Sequence, residues 1–315
     1  MEQTPILTLT LNPALDMSTE VPELLADQKL RCAEPKLDPG GGGLNVSRAV
    51  RIMGGDSLAL VALGGLTGDR LAGLIRSENV PFLSLVAPGE TRQSLTVTEA
   101  TTGRQYRFML PGPLWSPEDQ DRVFHLLRAS TRSGIFGVIS GSQPPGVPLD
   151  FPAQLVASMP GVQVVLDTSG PTLHQAISHP IQGLAVLRMD GEEAESIAKR
   201  TLETRQDSAD FASGLVAAGV AKRVIVARGA EGSVLAEAGQ RLFVVAPKVA
   251  VKSKVGAGDS FVAGFVLALA RGQDVTSALA LGSAAASAAV MTDATQLCDA
   301  VEIAHLLPLC SVSPI

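Results

Sequence analysis

Cysteine and histidine are scarce in this sequence of 315 residues, which has three cysteines and four histidines. No two cysteines form a CxxC pair and the histidines lie far apart, whereas a structural zinc site needs such residues at close spacing. We therefore expect no zinc site. Three scattered thiols suit a reducing cytosol, so Cys32, Cys298 and Cys310 are predicted to be buried or chemically idle.

Signals for export and for a membrane span are also missing. The first residues lack the basic segment that opens a signal peptide. One stretch, 275–292, carries no charge, but it consists mostly of Ala, Ser and Gly, which drive membrane insertion poorly. We expect this stretch to be a packed core helix, and the chain to be cytoplasmic with no membrane partner.

The charge of the chain disfavours a nucleic-acid partner. Its formal net charge is −6, and a negative protein is repelled by the phosphates of a nucleic acid. Small anionic ligands are not excluded, because a few local cations can outweigh the global field.

What the sequence does have is the composition of a globular protein. Hydrophobic residues make up 46% of the chain and charged residues 18%, which excludes a disordered chain. The length suffices for one large α/β domain or for two ordinary ones with a well-buried core.

The first part of the chain alternates apolar and polar residues. Such alternation predicts strands with one open face, and the Thr-Gly pair at 102–103 predicts a hairpin turn. The alternating segments are expected to form a smaller sheet that projects from the main domain. The predicted elements are a strand at 6–11, a helix at 45–53, a strand at 57–63 and a hairpin of 91–97 with 104–109.

From about residue 135 onwards, short continuous apolar runs are separated by helical segments. This βαβα pattern predicts a parallel sheet that is covered on both faces. In such sheets ligands bind at the carboxyl ends of the strands. The apolar runs lie at 137–140, 162–167, 184–187 and 223–227. Several are followed by polar residues, namely Ser140, Ser142, Asp167, Ser169, Arg188, Asp190 and Arg228.

The strongest local signal is the run Val-Gly-Ala-Gly-Asp-Ser-Phe at 255–261, which an apolar helix follows to about residue 270. Glycines ahead of a helix leave backbone amides without partners, and these amides together with the helix dipole stabilise negative charge. Asp259 could be a plain helix cap. Alternatively, it is a base that accepts a hydroxyl proton while the amides of 256–258 stabilise a transferring phosphoryl group.

The second signal is a run of four glycines, 40–43, ahead of Asn45 and a helix. Glycines let a ligand approach the backbone closely, and an Asn side chain can hydrogen-bond hydroxyl groups. The run is neither a Walker A loop nor a complete GxGxxG. A dinucleotide-dependent oxidoreductase is therefore a weak alternative, and a flexible loop without a function stays open.

Together the two runs resemble the signatures of the PfkB/ribokinase-type carbohydrate kinases. The N-terminal signature of that family is a Gly-Gly pair, an Asn, a helix and spaced glycines, which 42–45, 54–55 and 64–65 match. The C-terminal signature is Gly-Ala-Gly-Asp at 256–259. The resemblance covers essentially the whole chain. It implies a catalytic group that consists of Asp259 as base with Gly256, Ala257 and Gly258 as anion hole.

The run at 8–16 looks like the opening of the phosphosugar-kinase branch of that family. The runs at 29–32, 40–43, 78–81, 91–93, 105–108 and 140–146 look most like its bacterial minor-isozyme 6-phosphofructokinases. By this resemblance, Asp16 and Asn45 hold sugar hydroxyls. The substrate phosphate is surrounded by Lys29, Arg31, Arg92 and Ser142, and Arg and Lys give charge-assisted hydrogen bonds to such a group. The implied substrate ligands are Asp16, Lys29, Arg31, Gly41, Gly42, Gly43, Asn45, Arg92 and Ser142.

The resemblance is weaker on the side of the phosphoryl donor. The family usually has Lys-x-Asn-x-x-Glu after the fifth apolar run, and Arg188, Asp190 and Glu193 stand in those places here. Lys254 replaces a usual Thr, and 292–294 replaces a usual Asn-x-Gly. The implied metal ligand is Glu193. The implied nucleotide contacts are Arg188, Asp190, Arg228, Gly229, Gly232 and Lys254.

Two explanations of these departures stay open. The donor site is rewired, with Arg228 and Lys254 offsetting the new acid at Asp190, or nucleotide binding is lost and a sugar-phosphate-binding regulator remains. The intact Gly-Ala-Gly-Asp run favours the first explanation, because a protein without catalysis has no chemical need of a base.

The resemblance implies one α/β domain over 1–315, a ribokinase-like three-layer sandwich with a central, mainly parallel sheet. A small β lid is expected from about 12–38 and 88–112, and lids of this kind pair between subunits, which implies a homodimer. The implied reaction transfers the γ-phosphoryl group of ATP, with Mg²⁺, to the 1-hydroxyl of fructose 6-phosphate. A tagatose-6-phosphate or fructose-1-phosphate kinase is the nearest alternative, and whether a monovalent cation assists stays open.

Overall fold

The structure is a computed structural model that describes residues 3–293 and 295–315. Residue 294, at the end of the 292–294 replacement, lies outside the described residues. In chain order the strands are β1 (Ile6–Thr10), β2 (Ala14–Val21), β3 (Lys36–Gly40), β4 (Leu58–Leu63), β5 (Phe82–Val86), β6 (Arg92–Glu99), β7 (Gln105–Met109), β8 (Phe136–Ser140), β9 (Gln163–Asp167), β10 (Val186–Met189), β11 (Arg223–Ala227), β12 (Gly232–Glu237), β13 (Gln240–Val245) and β14 (Val312–Pro314).

Helices connect most of these strands. In chain order they are α1 (Gly42–Ile52), α2 (Gly65–Ser77), α3 (Pro117–Ser130), α4 (Phe151–Ala157), α5 (Gly170–Ser178), α6 (Gly191–Ala198), α7 (Arg205–Ala217), α8 (Ala257–Ala270), α9 (Val275–Ala289) and α10 (Ala300–Leu306). The uncharged stretch is the packed helix α9, as predicted. None of the helices in the described ranges is long and apolar enough to cross a membrane.

The large sheet is mainly parallel, as the sequence predicts. Its order is β14-β13-β12-β11-β10-β9-β8-β1-β4-β5, in which the seven strands from β11 to β5 run parallel and β12, β13 and β14 form an antiparallel edge. The carboxyl ends of the parallel strands therefore meet along one edge of the sheet, where ligands bind in such folds.

Helices cover both faces of this sheet. Leu7 and Leu9 of β1 pack into a core with α3, α4, α5, α6 and α7, while Ile6 packs on the opposite face with α1, α8 and α9. This division follows from strand geometry, since successive side chains point to opposite faces. The expected three-layer sandwich is confirmed.

The small sheet has the order β3-β2-β6-β7. Strand β2 pairs in parallel with β6, and β6 and β7 form an antiparallel hairpin in which Thr98 lies opposite Gln105. Gly103 takes φ +68° in the connecting turn, which explains why the Thr-Gly pair predicts the turn correctly. The strands of this sheet, here called the lid sheet, lie within or next to the ranges predicted for the lid.

Two predicted boundaries are wrong by a few residues. Helix α1 begins at Gly42 rather than at 45, because Gly41 is the N-cap with φ +118° and accepts the Asn45 amide at 2.8 Å. Strand β10 begins at Val186 rather than at 184, since its ladder with β9 and β11 starts there. Arg188 consequently lies inside the strand and does not follow it.

Candidate active site

The glycine loop at 255–258 leads into a half-buried helix N-terminus. Gly256 is the N-cap of α8 with φ +75°, and a Cβ there would lie 2.6 Å from Leu297 Cδ2. Bonding into the helix begins with the Ser260 amide, which donates to the Gly256 carbonyl at 2.9 Å. The amides of 257–259 precede this bond and have no partner within the helix. This set overlaps the predicted 256–258 and lies one residue later.

Asp259 lies in the first turn of α8 and points towards α1. The Asn45 side chain donates from Nδ2 to Asp259 Oδ2 at 2.9 Å. The cap position belongs to Gly256, which has no side chain to offer. The interpretation of Asp259 as a plain helix cap is therefore wrong, and its carboxylate lies near Asp167, Arg188 and Asp16.

The surroundings of Asp259 hold its pKa near neutrality. Burial is the main cause and the negative charge of Asp167 adds to it, while the Asn45 hydrogen bond and Arg188 act in the opposite direction. The net effect raises the pKa of Asp259 from 3.8 to about 7. A general base works best when its pKa lies near the pH of the reaction, so this carboxylate can accept a hydroxyl proton.

Arg188 brings a permanent positive charge to the same place. Its Nη1 donates to Asp167 Oδ1 at 3.3 Å, and a Cβ on Gly258 would lie 2.9 Å from Nη1. The guanidinium group thus lies against the glycine loop, between the ends of β9 and β10. Its Nε is buried without a hydrogen-bond partner. The unpartnered amides and this cation together suit a phosphoryl group.

The predicted sugar ligand Asp16 projects from the lid sheet. Its carboxylate accepts a hydrogen bond from Ser94, and a Cβ on Gly40 would overlap it. Burial raises the pKa of Asp16, against the Ser94 bond and the nearby positive charge of Arg92. A carboxylate in this setting can accept a hydrogen bond from a hydroxyl group.

Two predicted phosphate ligands meet through a residue that the sequence did not single out. Asn12 accepts a hydrogen bond from Arg92 Nε at its carbonyl (3.1 Å) and donates from Nδ2 to Ser142 Oγ (3.1 Å). The glycine run lies against the end of β8, since a Cβ on Gly42 would lie 2.3 Å from Ser140 Oγ. Gly41 and Gly43 flank that contact.

Lys29 and Arg31 are not brought to this group within one chain. Both are exposed on the segment between β2 and β3. Among the described residues, no hydrogen bond or ion pair joins either side chain to Arg92 or Ser142. Their predicted phosphate contacts stay predictions.

On the donor side, Asp190 and Glu193 form the start of α6. The Glu193 amide donates to Asp190 Oδ1 at 2.8 Å, and the Asp190 amide donates to Glu193 Oε2 at 2.8 Å. This reciprocal arrangement is a capping box. Asp190 therefore has a structural role that the comparison of signatures did not anticipate, and an Asn would cap the helix equally well.

Arg228 is bonded to the segment ahead of α7, and its predicted offset of the Asp190 charge stays a prediction. Its side chain is 9% exposed, and the guanidinium group donates to the carbonyls of Leu202, Glu203 and Thr204. Arg228 thus anchors the segment ahead of α7. The predicted Gly229 starts a short 3₁₀ turn, Gly232 begins β12, and Lys254 is exposed.

Comparison with known proteins decides the family. The model of the pfkB family carbohydrate kinases matches residues 9–302. The chain belongs to this family. An "ATP-dependent 6-phosphofructokinase isozyme 2" of Escherichia coli (strain K12) is 38% identical over 295 residues, which cover 93% of this chain and 94% of the relative.

A solved structure and a second relative extend the comparison of this pfkB-family chain. The crystal structure of phosphofructokinase-2 from Escherichia coli in complex with fructose-6-phosphate matches with a TM-score of 0.90 and 35% identity, over 97% of this chain and 99% of that one. A "1-phosphofructokinase" of Xanthomonas campestris pv. campestris is 32% identical over 266 residues, 84% of this chain and 83% of the relative.

The residues of this pfkB-family chain fit Mg²⁺ bound together with a nucleotide. Within 3–293 and 295–315, no three His, Cys, Asp or Glu side chains are grouped so that they could hold a metal. Mg²⁺ at phosphoryl-transfer sites usually takes one or two carboxylates, with waters and substrate phosphates as its other ligands. The Glu193 carboxylate uses one oxygen, Oε2, to accept the Asp190 amide, which leaves Oε1 for a metal or its water.

Four residues that contact the predicted ligands had no role predicted from the sequence: Asn12, Arg48, Ser94 and Asp167. Asp167 was visible as a polar residue at the end of an apolar run. Asn12 lies within the run at 8–16 but had no predicted role. Arg48 contacts Glu78, which is 30 positions away, and Ser94 contacts Asp16, which is 78 positions away. No local pattern marks such contacts.

Proposed function

We propose that this chain is an ATP-dependent 6-phosphofructokinase, which transfers the γ-phosphoryl group of ATP to the 1-hydroxyl of fructose 6-phosphate. The observation that carries the proposal is Asp259, whose pKa is about 7 and which accepts a hydrogen bond from Asn45. Asp259 lies next to the amides at the start of α8 that have no partner within the helix. The 38% identical relative, described as an ATP-dependent 6-phosphofructokinase, supports the choice of acceptor and donor.

In the proposed reaction, the oxygen of the 1-hydroxyl attacks the γ-phosphorus and a new O–P bond forms. The bond between that phosphorus and its bridging oxygen breaks, and its electron pair leaves with ADP. Asp259 takes the hydroxyl proton on its carboxylate. The amides of Ala257 and Gly258 and the cation of Arg188 offset the charge that develops on the phosphoryl oxygens.

The remaining predicted ligands divide between acceptor and donor. Asp16 and Asn45 hold sugar hydroxyls, while Arg92 and Ser142, linked by Asn12, bind the 6-phosphate with Lys29 and Arg31. Arg188, Asp190, Lys254 and the turn at 228–232 line the donor side, and Glu193 is the metal ligand. Bound Mg²⁺ would supply charge neutralisation on the nucleotide phosphates.

The central test replaces the proposed base. We expect Asp259→Asn to lower turnover at least 100-fold, the low end of what a general base contributes, while calorimetry still detects fructose 6-phosphate binding. Asp274→Asn is a matched control, because Asp274 caps α9 away from the site and Asn keeps the cap. Near-normal turnover of Asp259→Asn would show that another group is the base.

A panel of acceptors separates the proposed reaction from its nearest alternative. The 32% identical 1-phosphofructokinase relative makes fructose 1-phosphate the necessary competitor, and tagatose 6-phosphate is the third arm. The proposal expects the highest kcat/KM with fructose 6-phosphate. A higher value with either competitor would reassign the substrate while leaving the chemistry unchanged.

The donor side favours a second candidate, a non-catalytic sugar-phosphate-binding regulator. The observation behind it is Asp190, which adds a negative charge where a triphosphate would bind. Calorimetry with ATP and Mg²⁺ discriminates between the two. Nucleotide binding together with phosphoryl transfer supports the kinase, whereas tight sugar-phosphate binding with neither supports the regulator.

We further propose that the chain is a homodimer that pairs through the lid sheet. The lid sheet ends in the edge strand β7, where Phe108 is 49% and Met109 is 52% exposed. An exposed apolar edge strand is a ready surface for pairing with another chain. The following Leu110 is 54% exposed and continues the same apolar surface.

A further inference from the structure

A buried arginine on α1 holds the residue that contacts the candidate base. Arg48 and Asn45 lie three residues apart and therefore on one face of α1. Arg48 is 6% exposed, and its Nη1 donates to Asn45 Oδ1 at 3.1 Å and to the Pro39 carbonyl at 2.6 Å. Nothing in the proposed reaction uses this side chain directly.

A glutamate in turn fixes the arginine. Arg48 Nε and Nη2 donate to the two carboxylate oxygens of Glu78 at 2.6 and 2.7 Å. Glu78 is the C-cap of α2. A two-pronged contact of this kind restrains both the position and the plane of the guanidinium group. The order of contacts is therefore Glu78, Arg48, Asn45 and Asp259.

The chemistry of these groups dictates which way the Asn45 amide faces. A guanidinium group has only donors, so it must face the amide oxygen and not the amide nitrogen. The nitrogen end of Asn45 is then left to face Asp259, to which it donates at 2.9 Å. An N–H donor stabilises the ionised form of a carboxylate, whereas a facing amide oxygen would require Asp259 to be protonated.

We propose that Arg48, fixed by Glu78, is a positioning residue that locks the orientation of the Asn45 amide and so keeps Asp259 ionised and able to act as the base. This inference rests on the proposed function, because it assigns a purpose to the ionised form of Asp259. It adds a second set of residues to the site, on α1 and α2, that contacts neither substrate.

Other charged groups lie around both ends of this chain of contacts. Asp167 on β9, Asp16 on β2 and Arg188 on β10 face Asp259. Around Arg48, Asp38 on β3 lies 4.0 Å from Nη2 and itself pairs with Lys36. The buried thiol of Cys298, ahead of α10, also lies near Arg48, and burial raises its pKa to about 11, so it is neutral in the range tested below.

Neither Asp38 nor Cys298, the two groups named next to Arg48, can replace it at Asn45. Asp38 is an acceptor when ionised, and the Cys298 thiol is a weak donor. Removal of the guanidinium group therefore frees the Asn45 amide to rotate. Asp259 then loses a donor that lowers its pKa.

The test is the pH dependence of kcat/KM for Arg48→Met, which keeps side-chain length and removes every donor. We expect the acid limb to move up by about one pH unit, the size of effect that one hydrogen bond to a charged group has. Turnover lost near pH 7 should return at higher pH. Arg51→Met on the same helix is the control, since Arg51 pairs with Asp56 at the surface, and its profile should match the wild type.

Two further variants guard against misfolding and against a merely structural effect. Glu78→Gln keeps one acceptor for Arg48 while removing the charge, and we expect a smaller shift in the same direction. In an Asn45→Ala background, Arg48→Met should produce no further shift, because the residue it positions is gone. Unshifted acid limbs in folded Arg48→Met and Glu78→Gln, or a shift that persists without Asn45, would overturn the inference.

A readout without turnover separates this inference from the proposed function. The carboxyl carbon-13 resonance that disappears in Asp259→Asn reports the titration of Asp259 directly. We expect its midpoint to rise in Arg48→Met and to stay in Arg51→Met. An unchanged midpoint refutes the positioning role, whereas normal turnover of Asp259→Asn refutes the proposed base and leaves the midpoint comparison valid.

Discussion

At the scale of single residues, the candidate site concentrates carboxyl groups around one fixed cation. Burial is the main cause of the raised pKa of Asp259, since it disfavours the charged form. The charges of Asp167 and Asp16 act in the same direction, and Arg188 and the Asn45 amide offset only part of the combined effect. In the free protein the Asp259 carboxylate is therefore under electrostatic strain, which a bound metal cation would relieve.

This strain predicts a pH-dependent stability. The pKa of Asp259 is about 7 in the folded chain and near its ordinary 3.8 when unfolded. The folded state therefore holds the proton more tightly, so its contribution is fully present below pH 4 and is lost as the pH rises through 7. The loss is at most about 4 kcal/mol. We expect Asp259→Asn to raise the Tm over wild type by several degrees more at pH 8 than at pH 5.

Thermal unfolding without ligands measures this difference. Asp274→Asn is the control, because the pKa of Asp274 is lowered, first of all by the hydrogen bond from the Ser277 amide, and its effect cannot grow in the same direction. An equal Tm difference for Asp259→Asn at both pH values would contradict the raised pKa.

At the scale of elements, the same two side chains at the start of α6 have two roles. Asp190 and Glu193 cap the helix, and both stand where the family organises the metal and the phosphates. The cap needs an acceptor at position 190, which Asp and Asn provide alike. The negative charge of Asp190 is therefore not needed for the capping hydrogen bond.

Substitution at 190 separates the two roles. We expect Asp190→Asn to leave the Tm nearly unchanged and to lower the KM for ATP with Mg²⁺, because it removes a negative charge that faces the nucleotide. Asp190→Ala should cost about 1 kcal/mol of stability through loss of the cap. Thermal unfolding and steady-state kinetics on both variants measure this. A higher KM in Asp190→Asn would show that the carboxylate helps to bind the metal.

The elements and the glycine loops could be predicted because their signals are local. Apolar runs mark the parallel strands, and Gly-Ala-Gly-Asp marks the start of α8 within a few residues. The partners of buried polar groups could not be predicted. Asn45 contacts Asp259, which is 214 positions away, and Arg228 binds carbonyls that are over 20 positions away. Only the packed fold shows that Arg188 faces the site whereas Arg228 anchors a loop.

At the scale of the whole molecule, the site is assembled from two sheets. The lid sheet carries Asp16 and Arg92, whereas β10, the loop after β8 and α8 carry Arg188, Ser142 and Asp259 respectively. Closure of the lid sheet over the large sheet would bring the acceptor ligands towards the base and exclude water, which limits the wasteful hydrolysis of ATP. The edge strand of the lid sheet exposes apolar side chains that the proposed second copy would cover.

The proposed homodimer leads to the last prediction. We expect sedimentation to give twice the chain mass of 32.6 kDa for the wild type. Phe108→Glu should yield monomers, because a charge on the exposed face of β7 cannot be buried against a second copy. Leu309→Glu is the control, since Leu309 is also exposed, at 62%, but follows α10. If the lid must pair to close, the Phe108→Glu monomer also loses turnover; a monomeric wild type, or a dimeric Phe108→Glu, would contradict pairing through the lid sheet.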